Sequence, residues 1–166
     1  GCARNMPPLG VTPAQAAGLN PARASTSTYG VRFAGERPVG RLKLGYVLSY
    51  AEQSDHARNP LDIDNDYQLI ELAGTWRQYT LLLGDEVMSG DGTVGFSTPL
   101  ATLHKFQGWV DKFLTTPANG IEDRYASFTW QKKGVGVLDT LALTAMYHEY
   151  QPERISGNYG SEINLQ

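Results

Sequence analysis

From Ser27 onward the chain alternates apolar and polar residues with a period of two, the mark of β-strands whose two faces differ. The first run, STSTYGVRFAGE, sets Tyr29, Val31 and Phe33 against Thr28, Arg32 and Glu36. After RPVG, read as a tight turn, RLKLGYVLSYAEQ puts Leu42, Leu44, Tyr46, Leu48 and Tyr50 opposite Lys43, Gly45, Ser49 and Ala51. A polar connection, SDHARNPLDID, leads to NDYQLIELAGTWRQYTLLLGDEV. This reads as two strands bent at Gly74–Gln78, with Ile70, Leu72 and Trp76 on one face and Tyr79, Leu81 and Leu83 on another. IEDRYASFTWQ, a KKGVG turn, VLDTLALTAMYHEY and NYGSEINLQ bring the count to seven strands. Residues 1–26, rich in Pro, Gly and Ala and without sustained periodicity, read as loop or linker, and 27–166 as part of one domain.

The connections alternate short and long: RPVG, then 54–65, the Gly74 bend, 88–120, KKGVG and 151–158. Antiparallel up-and-down strands with one plain and one elaborate end produce that order; Greek-key crossings of a sandwich do not. Strands of about 9–12 residues suit the ~9–11 needed to cross a bilayer at a tilt better than the ~5–6 of ordinary sheets. Tyr50, Tyr67, Tyr125, Tyr147 and Tyr159 fall near the long connections, and Phe33, Trp76, Tyr79 and Trp130 near the short ones, as two interfacial girdles would, although parity sets Tyr67 and Tyr125 on the face of the polar residues unless a bulge intervenes. The expected fold is all-β: an antiparallel up-and-down transmembrane β-barrel, partial at about seven strands, with a short helix in the long loop 88–120. Single-chain bacterial barrels have an even number of strands, eight or more. The chain starts in a loop and stops inside a strand, so it is expected to be a segment of a longer barrel.

Within 88–120 the period changes. In TPLATLHKFQGWVDKFL, Leu100, Leu103, Phe106, Val110, Phe113 and Leu114 recur at helical spacing, and Thr98–Pro99 suits an N-cap and first helical position. STPLATLHKFQGWVDKFLTTPANGIEDRY resembles the hallmark segment of the alginate-export family of outer-membrane β-barrels, a TPLATLH core followed by GWxDKFL and a TP…G(I/L)xD(x)Y ending. TYGVRFAGE, GDEVMSGDG, MYHEY and YGSEINLQ agree in order, so that the likeness covers about 27–166. It implies a channel in the outer membrane of a Gram-negative bacterium, with this chain its C-proximal portion. Lipid would be one partner, and a hydrophilic solute, including anionic oligo- or polysaccharide, the other. The insertion would fold inward as the constriction, carried by Thr98, His104, Lys105, Trp109, Asp111 and Lys112. The family's polyanion exporter is expected to line its constriction with arginine and lysine. Here Arg32 and Lys43 are the clear basic residues on polar strand faces, with Arg77 at a turn, beside Glu36, Glu71, Glu86, His148 and Glu162. The lumen therefore reads as mixed.

Formal net charge is −3, the sequence pI is near 5.6, and no lysine- or arginine-rich run occurs, so nucleic acid is not expected as a partner. No apolar run reaches the length of a spanning helix, and a mean hydropathy of −0.34 suits a soluble protein and a membrane barrel equally. The lone Cys2 cannot form an intrachain disulfide. Ser97, His104 and Asp111 are seven apart, about 10 Å along a helix, too far for a hydrogen-bonded relay, so catalysis is not expected. Asp62, Asp64 and Asp66 open like a calcium loop, but Tyr67 stands where glycine and Ala73 where glutamate is required. GDEVMSGDGTVG lacks the Gly-Lys-Ser/Thr of a phosphate cradle, and His56, His104 and His148 are dispersed, so neither cofactor nor metal is expected. The rival reading is a soluble barrel or sandwich that binds a ligand under a lid of Phe106, Trp109 and Phe113, with the polar strand faces in water.

Overall fold

The computed structural model describes residues 25–57, 59–98, 109, 112–113 and 115–166. Seven strands lie side by side in chain order, each antiparallel to the next: β1 (Thr26–Val39), β2 (Leu42–Asp55), β3 (Asp64–Trp76), β4 (Tyr79–Met88), β5 (Ile121–Val135), β6 (Leu138–Gln151) and β7 (Gly160–Leu165). The leader through residue 24 and most of the segment expected to be helical, 99–108 with 110, 111 and 114, lie outside the described residues. Among the described residues β1 and β7 remain edges, and the sheet does not close.

The three short connections, Gly40–Arg41, Arg77–Gln78 and Gly136–Val137, have two residues each. Each has positive φ at its first residue (62°, 55° and 62°), the type II′ pattern whose twist matches that of the flanking strands. Two expectations are corrected. Pro38 is not in the turn but in β1, opposite Lys43, where an edge strand tolerates the missing N–H. Gly74 lies inside β3 and pairs with Leu44 and Leu81, so the reversal is Arg77–Gln78 alone. Across a two-residue turn the side chains return on the same face, which puts Tyr79, Leu81 and Leu83 beside Trp76, Leu72 and Ile70 rather than opposite them.

Register then gives the sheet two unlike faces. One carries Phe33, Leu48, Ile70, Leu72, Leu83, Phe128, Leu143 and Ile163, and it is open: Leu72 is 58% and Ile163 73% exposed. Trp76, Tyr79 and Trp130 line its short-turn margin, and the Trp76 and Tyr79 rings stack 6.4 Å apart. Toward the long-loop end this face turns polar, with Glu52 opposite Asp66 and Arg124 between Asp85 and Glu149. The buried cluster of Met88, Phe96, Ile121 and Tyr150 lies on the opposite face, at the long-loop end, between the sheet and the 89–120 connection.

Candidate functional site

Three cross-strand rows build the long-loop half of the polar face. Nearest the long loops run Gly30, Ala51, Tyr67, Met88 and Ile121; next come Arg32, Ser49, Leu69, Glu86, Asp123 and Tyr150; then Ala34, Val47, Glu71, Gly84, Tyr125, His148 and Glu162. Hydrogen bonds stitch these rows together. Tyr67 Oη donates to Glu86 Oε1 (2.7 Å), Tyr125 Oη to Glu71 Oε1 (2.8 Å) and Tyr150 Oη to Glu162 Oε2 (3.3 Å). Arg32 Nη1 donates to Ser49 Oγ at 3.0 Å. Tyr125 reaches Glu71 because Gly84 stands between them. A Cβ at Gly84 would lie 2.2 Å from the Tyr125 ring, so only a residue without a side chain admits the phenol.

His148 and Asp123 form a deeply buried polar pair of this face, 3% and 1% exposed. Imidazole Nδ1 is 2.9 Å from Asp123 Oδ2 and 3.0 Å from Oδ1. Against an ionised carboxylate, which only accepts, Nδ1 carries the proton. His148 Nε2 is then the ring's other pole. It is buried, has no hydrogen-bond partner and belongs to a side chain that lines a cavity. The ring sits between Tyr125 (5.3 Å) and Tyr150 (5.6 Å, stacked), which hold its plane.

The 89–120 connection folds onto this face. Gln53, 2% exposed, grips the Ser97 backbone from both sides: its Nε2 donates to Ser97 O (2.9 Å) and its Oε1 accepts from Ser97 N (2.7 Å). Phe96, 6% exposed, packs 5.8 Å from the Tyr67 ring, and Phe113 packs edge-on against Tyr150 at 5.2 Å. Trp109 N donates to Glu162 Oε1 at 2.8 Å. Gly90 lets the returning chain approach closely, since a Cβ there would meet Ala118 O at 2.2 Å, and Arg154 Nη1 donates to Gly90 O from the next long connection. Asp91 closes the loop's first turn by accepting from Thr93 N and Val94 N through Oδ1.

Between sheet and loop lies a cavity of about 640 Å³ whose wall includes Arg32, Glu71, Glu86, Asp123, His148, Thr98 and Trp109. That cavity touches side chains of six consecutive strands, from Arg32 on β1 to His148 on β6.

Of the residues singled out in the sequence, Arg32, Lys43, Glu71, Glu86, His148 and Glu162 share the polar face. Lys43 pairs with Glu36 (2.7 Å) nearer the short turns, both side chains more than half exposed. Arg77 does not join them: its guanidinium carbon lies 4.7 Å from the Trp76 ring centroid, and Trp76 belongs to the apolar face. Thr98 and Trp109 reach the cavity, whereas Lys112 Nζ donates to Tyr159 O and lies 5.4 Å from the Phe113 ring. His104, Lys105 and Asp111 lie outside the described residues. Tyr67 and Tyr125 lie on the polar face, as their parity predicts, and their hydroxyls donate to carboxylates there. Sequence reasoning missed Asp123 and Gln53. Parity with Tyr125 would have found the first; no local signal marks the second, whose partner is 44 residues away. Compared with family models, curated proteins and solved structures, the chain gives no match.

Proposed function

We propose that this chain is part of the wall of an outer-membrane antiparallel β-barrel channel of the alginate-export type, which passes hydrophilic solutes without chemistry. The observation that carries the reading is the inverted polarity of the sheet: the leucine, isoleucine and phenylalanine face is open, and the buried Glu86, Asp123, His148 and Tyr150 lie on the other face. Soluble monomers rarely expose a contiguous apolar patch of more than a few hundred Å², and seven adjoining strands carry this one. Hydrocarbon satisfies such a face, while water wets the other. From Leu42 to Tyr50 the band spans eight residue steps of ~3.3 Å, about 26 Å along the strand and about 20 Å at a ~40° tilt, near the ~25 Å of such bands. The Trp76, Tyr79 and Trp130 margin suits one headgroup boundary.

The 89–120 connection narrows the passage on this reading, because Gln53, Phe96 and Glu162 pin it to the inner wall. The test uses the native protein that contains this sequence. It should sediment with outer membranes, require detergent, migrate faster on a gel when unheated, and conduct in planar bilayers; deleting residues 97–116 should raise single-channel conductance. Recovery as a detergent-free soluble protein without conductance overturns the proposal.

A further inference from the structure

We infer that the inner wall beneath the loop is a site for a cationic, hydrogen-bond-donating solute, an amine, and that it disfavours anions. This rests on the channel reading above and names the solute class. The geometry is that of a built site. Among the described residues, Glu71, Glu86 and Asp123 face one cavity with Arg32, which already donates to Ser49. With the carboxylates ionised, those four groups sum to −2.

A second, independent observation points to a ligand. His148 is 3% exposed and lines the cavity, yet its Nε2 has no partner while Nδ1 is held by Asp123. With the proton fixed on Nδ1, Nε2 is a buried lone pair awaiting a donor. The carboxylates call for the same complement: Tyr67 and Tyr125 each donate one hydroxyl to Glu86 and Glu71, which leaves both as acceptors on the wall. Acceptors and negative charge together describe the counterpart of an ammonium group, with three donors and one positive charge. An anionic saccharide presents the opposite on both counts. In water, one unit charge at ~5 Å changes the local concentration of a monovalent ion about fourfold before screening, so two carboxylates suffice to set a preference.

The probe is spermidine, added to single channels of the native protein in planar bilayers, with reversal potentials in a potassium chloride gradient read alongside. Potassium is expected to permeate better than chloride, and micromolar to millimolar spermidine to block. The double variant Glu71→Gln with Glu86→Gln keeps an acceptor for each tyrosine; it should weaken the block at least tenfold and move the permeability ratio toward one. Arg32→Gln should do the reverse, strengthening block and cation preference, a gain that misfolding cannot mimic. Channels that prefer chloride, that are blocked equally in wild type and double variant, or that ignore spermidine but are blocked by the neutral sugar maltotriose overturn this inference and leave the channel reading intact. Absence of any conductance removes the channel reading itself.

Discussion

Leu72 offers the sharpest discrimination between lipid and water against the apolar face. It sits midway along the band, flanked by Tyr46 on β2 and Leu83 on β4, and it is 58% exposed. If water covers that face, Leu72→Arg removes little: the arginine stem retains the flanking contacts, its charge is solvated, and the expected change is within about 0.5 kcal/mol. If hydrocarbon covers it, arginine near the bilayer midplane costs about 2–4 kcal/mol, which is a factor of roughly 30 to 1,000 in the folding equilibrium. The two environments thus differ by well over the error of a titration. The measurement is urea unfolding of the native protein refolded into phosphatidylcholine vesicles, followed by tryptophan fluorescence. Gln68→Arg, on the same face of β3 near its polar margin, is the control and should cost no more than about 1 kcal/mol. A loss under 0.5 kcal/mol for Leu72→Arg, or equal losses for the two variants, refutes the assignment of this face to lipid.

Three further outcomes follow from contacts on the polar face. Gln53→Leu leaves the Ser97 N–H and C=O without their buried partners, about 2–4 kcal/mol in all, so hydrogen exchange at the Ser97 amide should accelerate by roughly 30- to 1,000-fold; unchanged exchange would deny that this clamp holds the loop. Gly84→Ala should displace the Tyr125 ring from Glu71 and lower stability by about 1–3 kcal/mol, and combining it with Tyr125→Ala should cost less than the sum of the two; strict additivity would contradict the packing. His148→Leu strands the buried Asp123 carboxylate at about 3–5 kcal/mol, and the double variant with Asp123→Leu should regain more than half of that loss in a denaturant titration; a double variant as unstable as the single one would show that the pair is not the energetic unit.

Element type and order were legible because a period of two survives in a single sequence: β2 alone shows five apolar residues at alternate positions from Leu42 to Tyr50. The short-long rhythm of connections was legible for the same reason, since it needs only the strands to be counted. Where the chain turns was less so. Gly74 looked like the break, but a glycine inside a strand still pairs on both sides, and the reversal at Arg77 uses a non-glycine residue at positive φ. Pairing register was not written locally at all. That Asp123 meets His148, or that Tyr125 crosses Gly84 to reach Glu71, depends on how three strands slide past one another. Tyr67 and Tyr125 are instructive, because their parity placed them with the polar residues against the girdle pattern, and the register keeps them there.

The buried cluster lies at one rim of the sheet, while the opposite half of the polar face carries small or hydroxylated side chains such as Gly45, Ala73, Thr80, Thr129 and Thr144 beside the Lys43–Glu36 pair. On the channel reading proposed above, the wall would be clamped like a hoop at its mouth, and discrimination would be concentrated in a collar one or two residue rows deep.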